Sequence, residues 1–156
     1  MFINKILPDN YFRNNRHKSL ANIVYTCNWI IEKVKAVLEK EDLTPQQYNI
    51  LRILSQSIDP ISTLQIREMM LDKMSDTSRI VERLQKKDLV NKLTNKYDKR
   101  LVDVSLTSKG MILMNRLEKN ADQIDSIIDN LTNEDITQLN TLLDKIRNKS
   151  SIKVEC

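Results

Sequence analysis

The sequence predicts a mostly α-helical protein with one small antiparallel β-hairpin. Apolar residues recur at spacings of three and four along most of the 156-residue chain, which is the pattern of amphipathic helices. Two short runs, residues 89–94 and 101–106, flank a polar tip as the strands of a hairpin do. The chain has one glycine and three prolines, which argues against a many-stranded fold because such a fold needs many tight turns. One compact unit of ordinary domain size is expected.

The first long helix is predicted from about residue 20 to residue 38. We expect it to bury one broad apolar side, to which Cys27 belongs. The neighbours of this cysteine, Thr26 and Asn28, carry no charge that would activate the thiol, so core packing is favoured for Cys27 over the role of an oxidant sensor. The apolar side consists of Leu20, Ile23, Val24, Cys27, Ile30, Ile31, Val34, Val37 and Leu38.

A second helix is predicted to begin at residue 45. Thr44 is placed to cap it, Pro45 suits its first position, and Gln47 can complete a capping box with Thr44. Its core side would consist of Tyr48, Ile50, Leu51, Ile53 and Leu54.

Two short apolar helices then follow at residues 63–71 and 75–87. A connection of three residues, 72–74, suits the corner of a helix-turn-helix. Ser75 is expected to be the N-cap of the second helix. With the hairpin behind it as a wing, this string is typical of a winged helix-turn-helix, which places its second helix in a DNA groove. The core-facing side of that helix would consist of Ile80, Val81 and Leu84.

Positive charge is concentrated on the second of these helices and on the hairpin. From Ser75 to Arg100 there are eight lysines and arginines and four acids, a surplus of +4. The whole chain also carries +4, so the remaining residues balance to zero. Such residues often only solvate a helix face, but their place in a winged helix-turn-helix favours double-stranded DNA as the partner.

Two more helices are predicted after the hairpin. Thr107 is expected to cap the first, and Thr132 to begin the second with acids in its first turn. Packing of the terminal helices on one another explains most of their apolar residues. The apolar area that remains on the long helices at both ends of the chain favours a dimer interface. The apolar stripe of the helix after Thr107 consists of Ile112, Leu113, Leu117, Ala121, Ile124, Ile127, Ile128 and Leu131, and that of the helix after Thr132 of Ile136, Leu139, Leu142, Leu143 and Ile146.

The wing carries a recognisable combination of residues. Asp98 and Arg100 form a D-x-R pair, which is followed by a V-x-L-T-x-x-G run that ends at Gly110. Together with residues 43–51 and 75–90, this combination resembles the MarR family of transcriptional regulators, over about residues 20–146.

The resemblance implies a homodimer of two winged domains on a helical dimerisation platform, often with a small-molecule or redox input. It makes residues 1–156 a single MarR-type unit, with a winged part at about 44–108 and dimerisation helices at about 1–40 and 109–156. We therefore expect a homodimeric, sequence-specific DNA-binding regulator, either a repressor or an activator, and a repressor that responds to a small molecule is favoured.

The resemblance also implies roles for residues of the wing. Arg100 would enter the minor groove, and Asp98 would orient it. Where the family usually has glycine after the recognition helix, this chain has Asp88, which tolerates the left-handed backbone conformation better than most residues. The expected DNA-contacting residues are Ser75, Thr77, Ser78, Arg79, Arg83, Lys96, Asp98, Lys99 and Arg100.

A ligand pocket can be predicted only by its place in the chain. Proteins similar to MarR often bind aromatic acids or other small amphipathic molecules between the dimerisation helices and the winged domain. Tyr25, Trp29 and Tyr48 lie in the segments that would line such a pocket. Aromatic residues at helical spacing are also typical of a core, so both interpretations stay open.

No enzymatic activity, metal site or cofactor is expected. The single histidine, His17, has no potential ligand at metal-binding spacing, and the sequence contains no glycine-rich phosphate loop. His17 is expected at the surface near the start of the first helix. The alternative to a regulator is a winged-helix adaptor, in which the basic hairpin meets an acidic protein surface and no base is read.

A cytoplasmic location without membrane association is expected. The longest apolar stretch, residues 23–31, is too short to span a bilayer and is interrupted by Asn28. Cys27 and Cys156 lie far apart in the sequence, which fits a reducing compartment better than a disulfide framework.

Overall fold

The computed structural model describes residues 6–95, 98–99 and 102–148. It is mostly helical with a small antiparallel sheet, as the sequence predicts. The chain divides into two compact units between Ile124 and Asp125. The elements are α1 (Asn15–Leu38), α2 (Pro45–Ser55), β1 (Ile61–Ser62), α3 (Thr63–Met69), α4 (Thr77–Lys86), β2 (Val90–Thr94), β3 (Val102–Leu106), α5 (Ser108–Lys119), α6 (Asp122–Asp125) and α7 (Asn133–Arg147), with short 3-10 turns at Asp9–Tyr11, Glu39–Glu41 and Ser126–Ile128.

Side-chain caps fix where several of these helices begin. At α2 the Gln47 N–H donates to Thr44 Oγ1 at 3.2 Å, and the Thr44 N–H donates to Gln47 Oε1 at 3.1 Å. This capping box confirms the predicted start of α2. Thr107 caps α5 as predicted, since its hydroxyl oxygen accepts from the Gly110 N–H at 3.0 Å.

The sheet has three antiparallel strands in the order β1-β3-β2. The hairpin pairs Val90 with Leu106 at its base and Thr94 with Val102 near its tip. The short strand β1 pairs Ile61 with Val104 on the other side of β3. The sequence predicts the hairpin but does not predict β1.

The core of the first unit fixes the orientation of α4. Val81 and Leu84 are completely buried there, and Ile80 is half-buried against the same core. These three assignments confirm the predicted core-facing side of α4. The core also contains Leu38, Leu43, Ile50, Leu51, Ile53, Leu54, Ile66, Met70, Leu89, Val90, Val104, Leu113, Met114 and Leu117.

The prediction of one helix running from Thr107 towards Leu131 is wrong. Helix α5 ends at Lys119, where the Asn120 side chain donates to the Arg116 carbonyl at 3.1 Å and its backbone N–H turns to the Leu117 carbonyl. An asparagine side chain that binds the backbone in this way competes with continuation of the helix. Further along the chain, α6 and a 3-10 turn replace the predicted last turns.

The apolar side of α1 is mostly exposed in the single chain. Leu38 is the only buried residue of this helix, whereas Val24, Trp29 and Ile31 are all exposed. Cys27 is exposed as well, so the prediction that it packs in the core of the chain is wrong. The helical period is correct, but the first unit does not itself cover this side.

In the second unit, α7 begins with a capping box between Thr132 and Asp135. This confirms the predicted start of the last helix. No residue of α7 is buried, and Leu139, Leu142 and Ile146 are exposed at helical spacing. No helix in the described ranges is long and apolar enough to cross a membrane.

Candidate nucleic-acid interface

The start of α4 differs from the prediction by one residue. Asp76 is the N-cap, since its Oδ1 accepts from the Arg79 N–H at 3.1 Å. Ser75 is not the cap, because its hydroxyl instead donates to Asp72 Oδ2 at 2.6 Å. The connection from α3 therefore extends from residue 70 to residue 76 and is longer than the predicted 72–74.

The connection is organised around the Asp72 carboxylate. Besides the Ser75 hydroxyl, this carboxylate accepts from the Met74 N–H at 3.0 Å. The Ser75 hydrogen bond, followed by the Met74 bond, lowers the pKa of Asp72 below its ordinary value. The apolar side chains around it face solvent: Leu71 is 88% exposed and Met74 is 94% exposed.

Helix α4 has one buried side and one charged side. Thr77, Val81 and Leu84 form the buried side. The exposed residues of the helix are Ser78, Arg79, Glu82, Arg83, Gln85 and Lys86. The helix therefore presents a charged face while its other face is held in the core.

Thr77 does not lie where its predicted role requires. The residue is only 5% exposed, and its hydroxyl has no hydrogen-bond partner among the described residues. The exposed stripe instead includes Glu82 and Lys86, which the sequence analysis did not select. Their helical spacing from Arg79 and Arg83 is the signal that identifies them.

Several hydrogen bonds hold the C-terminal end of α4. Lys87 Nζ donates to Asp42 Oδ2 at 2.8 Å and to the Asp42 carbonyl, which ties the helix end to the segment after α1. Lys109 Nζ donates to the Lys87 carbonyl, and the Thr107 hydroxyl donates to the Asp88 carbonyl, both at 2.8 Å. Asp88 has a φ of 60°, which confirms the predicted left-handed turn.

The only glycine of the chain lies where α5 crosses the start of the wing. A Cβ atom on Gly110 would lie 2.2 Å from the Leu89 carbonyl oxygen. That oxygen accepts a hydrogen bond from the Thr107 N–H at 3.1 Å. Glycine is required here for close backbone approach, and its φ is not positive.

The described part of the wing is braced at both sides of its tip. Asn95 Nδ2 donates to both carboxylate oxygens of Asp103 at 2.9 Å, and Asn95 Oδ1 accepts from the Asp98 N–H at 2.9 Å. Lys99 is exposed and Asp98 is half-buried. The predicted contacts Lys96 and Arg100 lie outside the described residues.

The residues of the predicted ligand pocket are distributed over two helices. Tyr25 and Trp29 are each 39% exposed on α1, and Tyr48 is half-buried against the core. An open cleft of about 440 Å³ lies elsewhere, between α3 and the start of α4, where Arg67, Lys73 and Asp76 are among its lining residues. Within the ranges that the structure describes, no group of three or more His, Cys, Asp or Glu side chains could hold a metal ion.

Comparison with known proteins identifies the segment that contains this site. Residues 43–102 match the model of the MarR family. The matched residues include α2, α3, α4 and β2, and therefore the whole charged face of α4.

A curated protein similar to this chain is the HTH-type transcriptional repressor MdtR of Bacillus subtilis (strain 168), with 33% identity over 75 residues. The match covers 48% of each protein, so the chain spans about half the length of this relative.

Solved structures of DNA-binding proteins share the fold. A mutant MarR from E. coli complexed with operator DNA has a TM-score of 0.73 and 23% identity, over 94% of this chain and 98% of that one. Bordetella bronchiseptica BpsR has a TM-score of 0.74 and 20% identity, over 84% of this chain and 99% of that one. The DNA binding of BpsR is regulated by 6-hydroxynicotinic acid. At these identities the likeness shows a shared fold.

Proposed function

We propose that the protein is a homodimeric, sequence-specific DNA-binding transcriptional regulator of the MarR type. The observation that supports this most directly is the construction of α4. Its buried side holds the helix in the core, while Arg79 and Arg83 extend from the opposite side without competing ion pairs among the described residues. A helix held in this way can enter the major groove with its charged face towards the bases.

The residues of the proposed interface divide by the part of DNA that they meet. Arg79, in the first turn of α4, reaches a base edge, and Ser78 beside it offers a short hydroxyl. Ser75 lies at the helix entrance, and its hydroxyl is used by Asp72. Arg83, further along the same face, meets the phosphate backbone. Thr77 serves to position the helix, because its side chain is buried.

The wing supplies the second part of the proposed interface. Lys99 is exposed and available to a phosphate. The roles of Lys96 and Arg100 rest on the sequence and on the resemblance, with Arg100 in the minor groove and Asp98 orienting it. Minor-groove arginines sense groove width and A·T content more than individual bases.

The exposed apolar side chains of α1 support the proposed homodimer. A monomeric protein rarely exposes a contiguous apolar side as long as the one on α1. A second copy of the chain would cover this side, with the exposed stripe of α7 as a further candidate surface. In this proposal the winged part, about 44–108, reads DNA, while residues of about 1–40 and 109–156 form the platform. Two half-sites would then lie about one helical turn apart.

Repression and ligand response are proposed from the relatives. MdtR is named a repressor, and BpsR is described as regulated by 6-hydroxynicotinic acid. We extend the same class of behaviour to this chain, with a small aromatic or amphipathic molecule as effector and Tyr25, Trp29 and Tyr48 as the first residues to test. A regulator of this kind would act in the cytoplasm.

Binding of duplex DNA at two salt concentrations tests the proposal. The full-length protein is titrated against its own promoter region and against a scrambled duplex of equal length. Neutralising several phosphates makes affinity fall steeply with salt, and a regulator also prefers its own site. Arg79→Ala should weaken the binding free energy for the preferred site by about 1–3 kcal/mol. Arg13→Ala, which removes the same charge just before α1, is the matched control and should bind as the wild type does.

The adaptor alternative predicts a different result. An adaptor would bind both duplexes weakly and equally, and Arg79→Ala would have no effect that depends on sequence. That outcome would exclude a sequence-specific regulator while leaving the winged fold unchanged.

A further inference from the structure

An acidic side chain lies in the middle of the charged face of α4. Successive residues of an α-helix are rotated by about 100°, so Arg79, Glu82 and Lys86 point most directly away from the buried side. Arg83 and Ser78 lie towards the two edges of the exposed face. Glu82 is therefore central, between basic neighbours, in the part of the helix that would lie deepest in a groove.

The Glu82 carboxylate has no partner within the described part of the chain. It makes no hydrogen bond and no ion pair there, although Lys86 at i+4 and Arg79 at i−3 are suitably spaced. Its side chain is exposed, so nothing in the structure uses its acceptor capacity. A purely helix-stabilising role would pair this carboxylate with one of these cations.

The electrostatics of DNA limit what such a carboxylate can meet. A phosphate would repel the Glu82 carboxylate. The carboxylate would also cancel part of the positive charge of the helix and wing on the face that meets the DNA. In the major groove, the exposed hydrogen-bond donors are the N4 amine of cytosine and the N6 amine of adenine. Adenine also presents its N7 acceptor, which repels a carboxylate, so cytosine is the base that suits a glutamate.

We infer that Glu82 is a specificity-determining residue, which accepts a hydrogen bond from a cytosine N4 amine at one position of each half-site. It also disfavours sequences that offer only acceptors there, because a carboxylate facing the N7 and O6 of guanine is repelled. The inference rests on the proposed function, since it assigns one base preference within the proposed site.

Selection of binding sites from a randomised duplex pool tests the inference, followed by titration of single-base-substituted duplexes at fixed salt. In the wild type, one position per half-site should require C·G. Glu82→Ala should reduce that preference about tenfold and leave the other positions unchanged. Glu82→Gln should shift the preference towards A·T, because glutamine can pair with both N6 and N7 of adenine.

Glu68→Gln is the matched control. Glu68 is an exposed acid on α3, so this change removes the same charge from the same helix-turn-helix outside the face of α4. It should retain the wild-type consensus. Thermal unfolding of all variants, with the protein concentration held constant, checks that each one is folded.

Two results would overturn the inference, and they are distinguishable from each other. An unchanged consensus in both Glu82 variants would show that the carboxylate reads no base, even though the proposed function stands. A wild-type protein that selects no sequence at all would remove the inference together with the proposed function.

Discussion

Replacement of Gly110 by alanine provides a strong test of the packing between α5 and the wing. In most helices this change stabilises a protein by about 0.5–1 kcal/mol, because glycine has the larger backbone entropy in the unfolded chain. Here the new Cβ would lie 2.2 Å from the Leu89 carbonyl oxygen, whereas ordinary contacts begin at 3.4 Å. The first turn of α5 must therefore move by about 1 Å.

The cost of that movement can be worked from the contacts it disturbs. The Thr107 N–H bond to Leu89 and the Thr107 hydroxyl bond to Asp88 both cross this approach, and each contributes about 1 kcal/mol. Overpacking adds about 1–3 kcal/mol to this loss of stability, and the higher helix propensity of alanine reduces the loss by about 1 kcal/mol. We expect the free energy of unfolding to fall by about 2–4 kcal/mol, and the melting temperature by about 4–16 °C for a chain of this length.

Urea and thermal unfolding followed by far-ultraviolet circular dichroism measure this effect, with the protein concentration kept equal. Ser108→Ala, an exposed change in the same helical turn, is the control and should stay within about 0.5 kcal/mol of the wild type. A Gly110→Ala protein as stable as the wild type, or more stable, would refute the close approach as the reason for glycine at this position.

Three further predictions follow from single residues. Asp88→Gly should raise the free energy of unfolding by about 1 kcal/mol, because a φ of 60° strains any side chain, and no gain in urea unfolding would contradict this. The hydrogen bond from Ser75 lowers the pKa of Asp72, so its stabilisation is present above the ordinary carboxyl pKa and is lost as the pH falls below it. Between about pH 5 and pH 3 the unfolding midpoint should therefore fall less in Asp72→Asn than in the wild type. An equal fall in both proteins would exclude this role of Asp72. Cys27 is exposed in the single chain, so a maleimide should label it faster after dilution below the dimer dissociation constant; one rate at every concentration would argue against a dimer that covers α1.

Helix starts are the part of the fold that the sequence predicts best. At Thr44 and Thr107 the predicted cap is the observed cap, and Thr132 begins the last helix as predicted. In each case the donor and acceptor lie within three residues of each other, so tertiary packing has little influence on the choice.

Competition between neighbouring residues explains the error at the start of α4. Asp72, Ser75 and Asp76 can all accept a backbone N–H, and sequence alone does not rank them. In the structure Asp72 takes the Ser75 hydroxyl, which leaves Asp76 to cap the helix. Thr77 is turned into the core because it lies four and seven residues before Val81 and Leu84, on the buried side of α4.

Periodicity identifies an apolar side but not its partner. The spacing around Cys27 and Trp29 correctly predicts one apolar side of α1, yet that side is exposed in the chain. Strand β1 could not be predicted for a related reason, since its two residues are a strand only because Val104 lies beside Ile61. Glu82 was missed because charge counting selects cations, whereas its position depends on the helix face.

The bonds around Lys87 and Thr107 have a mechanical consequence. They anchor α4 at its C-terminal end, while the connection before its N-terminal end is held by the contacts around Asp72 and by one hydrogen bond from the Leu71 N–H to Asn49 Oδ1 of α2. Helix α4 has ten residues and is about 15 Å long, so its first turn is the part of the helix farthest from these bonds. A tilt of about 10° about the C-terminal end would move Arg79 by roughly 2 Å, which is enough to break a hydrogen bond to a base.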